Sequence, residues 1–198
     1  MNQGYTRVLV VLLLFASRAG AIFAHQNEVK KVQRREVQIP IADFTLIDQN
    51  AREFKITQVA GRVVVVAFAY TTCPDVCPLI TAALRQVQRS LSADERRKVF
   101  FLTITTDPEI DTPQVLAGYG KRYGADFTNW AFLTGEPAAL HKVWKNFGVG
   151  VKRKGRGLVD HTPLTAVVDR QGNIRLAYIG PAPEVKVVLQ DVRRLLGQ

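Results

Sequence analysis

Sulfur is scarce in this chain: its 198 residues hold two cysteines and one methionine. Two cysteines exclude a disulfide-stapled scaffold, which needs several bridges to stand in for a core. They also exclude a structural zinc site built on four thiolates. Long apolar runs are missing as well. The longest, VLVVLLLFA at residues 8–16, has nine residues, about half of what a membrane-spanning helix requires. Acid is short relative to base, with 17 Asp and Glu against 27 Lys and Arg and a net charge of +10. That balance favours acidic partners or an anionic membrane surface, and an ordinary solvated basic surface satisfies it equally. No repeat, low-complexity linker or nucleic-acid-binding motif divides the chain. At 47% hydrophobic, the composition suits one domain with a real core.

The first two dozen residues have a layout of their own. A short start carrying Arg7 precedes the apolar run, and Ala19-Gly20-Ala21 and Ile22-Phe23-Ala24 offer small-residue cleavage sites. This reads as a secretory signal peptide over residues 1–24, which implies export to the periplasm. An uncleaved inner-membrane anchor is the alternative, and the lack of a cysteine beside the run excludes a lipoprotein anchor. Arg7 and Arg18 are the only charges in this segment, so the rest of the chain keeps +8 of the +10. Residues 25–40, with Lys30, Lys31, Arg34 and Arg35, read as a charged, weakly structured lead-in to a domain over residues 41–198.

Within that domain, residues 44–47 and 53–56 read as short strands across an Asp48-Gln49-Asn50 turn. Residues 62–69 (RVVVVAFA) and 99–105 (VFFLTIT) are continuous apolar runs, the pattern of strands covered on both faces. Helical spacing marks residues 78–91, 112–123, 137–147 and 183–196, with further strands at 130–133, 164–168 and 174–179. The last two strands form a hairpin turned at residues 169–173. Buried strands followed by helices, then a hairpin and a closing helix, predict a three-layer α/β domain with a central mixed sheet.

Both cysteines fall in YTTCPDVCPLI, residues 70–80, where the first buried strand hands over to its helix. Open α/β sheets build their sites at that end. A disulfide closing so short a loop removes little chain entropy, so the pair points to redox or metal chemistry rather than stapling. Pro78 suits a first helical turn and places Cys77 at or just before the helix N-terminus. Unpaired amides and the helix dipole lower a thiol's pKa there. The Pro74-Asp75-Val76 turn can bring Cys73 to the same side. Two thiolates make a soft pair suited to Cu(I), and a third donor is then needed. Of the three histidines, His25 stands at the expected mature N-terminus and His141 reads as a helix surface residue beside Lys142. His161, in VDHTPLTAVVD before a hydrophobic strand, is the candidate, although a histidine at a strand start also serves structure alone.

CPDVCP, TDPEIDTPQVLAGY, FLTG and DHTPLTAVVDRQGNI, in that order, resemble the Sco/SenC family, thioredoxin-fold copper proteins of the bacterial periplasm and the mitochondrial intermembrane space. The resemblance runs from about residue 41 to the C-terminus. Its most specific mark is three residues between the cysteines, where ordinary thioredoxin-like redox enzymes have two. It implies a thioredoxin-like fold with an N-terminal strand and hairpin extension. It implies Cys73, Cys77 and His161 as ligands of Cu(I) or Cu(II). It also implies delivery of copper to cytochrome c oxidase subunit II or a related copper oxidase, with a periplasmic copper donor and a thioredoxin-like reductant as further partners. Asp107 is implied to lie near the site and to influence metal binding or docking. Asp160 reads as an acceptor that orients His161 or as an ordinary turn residue. Asp111 or Thr112 reads as a helix cap, with Pro113 at the first position.

The chain departs from the family pattern twice. Ile110 stands where relatives usually carry arginine. Pro163, two residues after His161, falls where thioredoxin-like reductases place a cis-proline facing their cysteines. A cis bond there favours binding of a substrate disulfide, and a trans bond simply starts the strand. VKRKGRGLVDH, residues 151–161, reads as a solvated turn or as a basic patch steering an acidic partner. Two functions follow, a copper chaperone and a thiol–disulfide reductase acting on the cysteines of the oxidase copper site or of partner chaperones. In the second, Cys73 attacks and Cys77 resolves. A thiol peroxidase would need an activating arginine beside a single cysteine, and TTCPDVCP supplies none.

Overall fold

The computed structural model describes residues 31–198; the expected signal peptide and His25 lie outside the described residues. The chain runs β1 (Gln33–Pro40), β2 (Thr45–Ile47), β3 (Glu53–Lys55), a 3-10 turn (Ile56–Val59), β4 (Val63–Ala69), α1 (Val76–Ser90), α2 (Ala93–Lys98) and β5 (Val99–Thr105). It continues α3 (Pro113–Arg122), β6 (Trp130–Leu133), α4 (Pro137–Asn146), β7 (Val151–Gly155), β8 (Leu158–His161), β9 (Leu164–Val168), β10 (Asn173–Ile179) and α5 (Val185–Leu196).

A six-stranded sheet in the order β1-β10-β9-β4-β5-β6 divides the molecule. β4, β5 and β6 run parallel, and β9, β10 and β1 add on antiparallel to one another and to β4. The sheet is therefore mixed, as expected. The apolar run of β4 sends successive side chains to opposite faces. Val63, Val65 and Ala67 meet α1, α3 and α5 through Ile80, Leu84, Leu116, Val188 and Val192. Val64, Val66 and Phe68 meet the other layer, where Leu46, Phe54 and Ile56 of the β2–β3 region join Leu140 and Trp144 of α4. Both faces are covered, which is why the run carries no polar alternation.

Two segments differ from the sequence reading. Residues 33–40 are no loose lead-in but the edge strand β1, paired with β10 through a bulge between Glu36 and Ile39. Its side chains are almost all exposed, so no apolar pattern announces it, and charge protects the free edge from further pairing. Arg34 ties it down, bonding both carboxylate oxygens of the buried Asp191 at 2.7 Å. Residues 151–161 are not a plain turn either. They form a separate two-stranded hairpin, β7–β8, with Gly157 at its tip at φ +71°.

Candidate metal centre

Cys73 and Cys77 lie where β4 passes into α1. Just beyond β4, the carboxylate of Asp111 takes hold of Thr71, accepting its amide at 3.2 Å and its hydroxyl at 2.5 Å. The Thr105 hydroxyl donates to the same carboxylate at 2.5 Å. The Cys73 amide then donates to the Tyr70 carbonyl at 3.2 Å, closing the turn. α1 begins at Val76, so Cys77 sits inside its first turn and is fully buried, whereas Cys73 keeps 9% exposure. Both thiols are free.

The two neighbouring thiols shift each other's pKa in opposite directions. The Cys73 thiol is pushed down to about 5, first by Cys77 beside it and then by the amides of Asp75 and Cys77. The Cys77 thiol is pushed up, by Cys73 and by burial. The sequence reading had given the helix terminus to Cys77. Cys77 does lie in the first turn of α1 and is the deeper sulfur, but the lowered pKa passes to Cys73, which the turn amides serve.

His161 closes the site from β8. Its Nε2 lies 3.6 Å from Cys77 Sγ, and its Nδ1 lies 3.0 Å from the Thr162 carbonyl oxygen. A carbonyl only accepts, so Nδ1 carries the proton and the Nε2 lone pair faces the cysteine. Burial lowers the pKa of the ring and keeps it neutral. The Tyr70 ring meets it edge-on at 5.8 Å between centroids. The orienting acceptor is thus the Thr162 carbonyl and not Asp160, which is exposed and lies 3.8 Å from Lys154.

The donor set fits a soft metal ion. Metal–thiolate and metal–imidazole bonds of about 2.3 and 2.0 Å, at angles between tetrahedral and trigonal, hold sulfur and nitrogen roughly 3.5–3.7 Å apart. Cys77 and His161 already stand at that separation, 3.6 Å. Cys73 packs in the same small cluster as Cys77, and among the described residues no three His, Cys, Asp or Glu side chains are gathered at ligand spacing.

The other expected residues take different places. Asp107 is fully buried and pairs with Arg153 of β7, not with the cysteines. Pro163 is trans, since the described residues contain no cis peptide, and its carbonyl accepts the Gly180 amide at 2.9 Å as β9 begins. The reductase-like cis-proline is therefore not formed. Thr112 caps α3, accepting the Val115 amide, with Pro113 in the first turn, which frees Asp111 for the Thr71 loop. His141 is exposed on α4.

Residues 32–197 match the SCO1/SenC family model. The chain belongs to the SCO1/SenC family. It is 33% identical over 145 residues to a Stutzerimonas stutzeri protein named for copper binding, covering 71% of this chain and 69% of that one. The fold is similar to that of Bradyrhizobium japonicum ScoI with copper bound, with a TM-score of 0.66 at 29% identity over 79% of this chain and 99% of that one. It is similar also to BsSco, described as a Sco-family cytochrome c oxidase assembly protein with a disulfide switch. There the TM-score is 0.70 at 26% identity, over 81% of this chain and 95% of that one. The thioredoxin-like architecture is shared with these SCO1/SenC structures. Within it, sequence reasoning passed over Thr71, read Arg153 only as one of a basic run, and left the helix cap open between Asp111 and Thr112, of which Thr112 takes it. TDPEID and VKRKGRG are each a run of charge, and only the fold says which charge meets which.

Proposed function

We propose that this SCO1/SenC protein is a copper chaperone that holds one copper ion through Cys73, Cys77 and His161 and releases it to a copper oxidase. The observation that carries this reading is the 3.6 Å approach of His161 Nε2 to Cys77 Sγ, with the ring locked by the Thr162 carbonyl. Two thiolates and a neutral imidazole suit Cu(I) and tolerate Cu(II). Three ligands leave coordination open, so a recipient's ligand enters before one of these leaves. The copper found in Bradyrhizobium japonicum ScoI supports the choice of metal. BsSco, described as a cytochrome c oxidase assembly protein, supports a recipient such as subunit II of that oxidase. The reading of residues 1–24 as a signal peptide or an anchor supports an exchange in the periplasm.

A second activity is favoured by the inequality of the two sulfurs. The Cys73 thiolate attacks a partner disulfide, one partner thiolate leaves, and Cys77 resolves the mixed disulfide as it gives up its proton. The partner is reduced and this pair oxidised, so a thioredoxin-like reductant must restore it. The test is an anaerobic Cu(I) titration of the reduced protein against a competing chelator, beside His161→Ala. One ion per chain, weakened about tenfold or more in the variant, supports the chaperone. Weak binding indifferent to His161 overturns it in favour of the reductase, which does not need the imidazole.

A further inference from the structure

The β7–β8 hairpin carries His161 to the cysteines, yet little holds it there. Val159 is its one buried side chain, packed on Ala69, Tyr70, Cys73 and Cys77, with half-buried Val151 beside it. Beside the approach of His161 to Cys77 and to the Tyr70 ring, polar contacts from two residues fasten the hairpin. The Thr72 hydroxyl donates to the Gly157 carbonyl at 2.9 Å. The Arg153 guanidinium spans Asp107 and, at 2.9 Å, Glu109.

Asp107 is an unusually firm post for such a contact. Its side chain is sealed from solvent, its amide donates to the Thr105 hydroxyl at 2.9 Å, and its carbonyl accepts the amides of Ile110 and Asp111. Asp111 of the same turn grips Thr71 and hence the loop leading to Cys73. One short turn, residues 107–111, therefore holds both halves of the site, the cysteine loop through Asp111 and the histidine hairpin through Asp107. The hairpin register places Arg153 opposite Val159 and Val151 opposite His161, so the grip on β7 passes directly to the histidine. Ile110 offers this turn no charge of its own, and Arg153 is the cation that answers Asp107. The second carboxylate oxygen of Asp107 has no partner among the described residues, so loss of Arg153 leaves a wholly uncompensated buried charge.

We propose that Arg153 is a positioning residue: by bridging the hairpin to Asp107 it keeps His161 over Cys77, and so sets how long a copper ion is retained. This rests on the copper reading given above. An imidazole on a released hairpin is in place only part of the time, and apparent affinity falls by that fraction.

The experiment measures Cu(I) release from the copper-loaded protein to a chelator in stopped flow, and amide hydrogen exchange of the hairpin in the copper-free protein. Arg153→Gln is compared with Arg153→Lys, with Arg153→Gln/Asp107→Asn, and with each change in a His161→Ala background. The double change removes the stranded charge and keeps the comparison available if Arg153→Gln alone folds poorly. The expected result is release roughly tenfold faster in Arg153→Gln, with partial rescue by lysine and no further acceleration once His161 is gone. Unchanged release, or equal acceleration with and without His161, overturns the proposal. Failure of the wild-type protein to hold copper would sink the copper reading instead, and the exchange data then decide on the clasp. Faster exchange at Val151 and Val159 in Arg153→Gln supports it, and unchanged exchange overturns it.

Discussion

Cys73 stands in the loop between the fully buried β4 and α1, Cys77 in the first turn of α1, and the turn before them is pinned by a buried carboxylate. His161 stands on a hairpin in which β7 is exposed from Lys152 to Gly155 and β8 buries only Val159. Both halves reach the same point in space, by means of very different cost to disturb. Packing gives the thiol pair its spacing, whereas a few polar contacts give the imidazole its place. A site built this way keeps two donors fixed while the third can yield, which suits a protein that must release an ion as well as bind one. Stability in the molecule is correspondingly uneven, highest in the parallel strands and lowest in the arm.

The sharpest way to break the contrast is to damage the fixed half. Asp111→Ala strands the Thr71 amide and two threonine hydroxyls, and we expect a loss of about 3 kcal/mol in urea unfolding. Asp111→Asn, which keeps an acceptor oxygen, should recover part of it. An effect below about 1 kcal/mol would show that the cysteine loop is not held by this carboxylate.

Val66→Ala and Val159→Ala remove the same atoms from the two regions. The first opens a cavity in the sheet and should cost about 2 kcal/mol of global stability. The second should leave the urea midpoint almost unmoved while raising hydrogen exchange in the hairpin alone. Equal global losses would mean that the arm is part of the cooperative core.

The sulfurs should differ chemically as they do in depth. In the reduced, copper-free protein, alkylation should occur at Cys73 roughly tenfold faster than at Cys77 or more. The depressed Cys73 thiol means that its rate is level at neutral pH and declines as pH falls through about 5. A midpoint above neutrality would contradict the lowering of the Cys73 thiol by its neighbour and the turn amides. The smallest effect is expected beside Arg153. Among the described residues Lys154 pairs with exposed Asp160 alone, at 3.8 Å, so Lys154→Gln should change stability by less than about 0.5 kcal/mol and leave copper release alone.

Much of this was legible in the residues. Apolar runs at 62–69 and 99–105 have nowhere to go but between two layers, because each side chain they present must be buried. CPDVCP and its position after such a run pointed to two donors, and the aliphatic stretch after His161 pointed to a third at a strand boundary. Local pattern carries that information because strand, turn and helix start are local events. Charged segments were not readable in the same way. Residues 33–40 and 151–155 form strands by pairing and not by burial, so their sequence shows no alternation to detect. Thr112 competed with Asp111 for the helix cap, and the choice between them depended on a threonine hydroxyl forty positions away.

By itself, then, the sequence determined a mixed three-layer sheet, the place of the cysteine pair and the kind of donors a metal would find. The tertiary structure alone decided that the turn amides serve Cys73 rather than Cys77, that a backbone carbonyl and not Asp160 sets the imidazole, and that Asp107 belongs to Arg153. Each of these depends on which groups are brought together from distant parts of the chain and how far water is kept from them. Neither quantity is written in the identity of the residues.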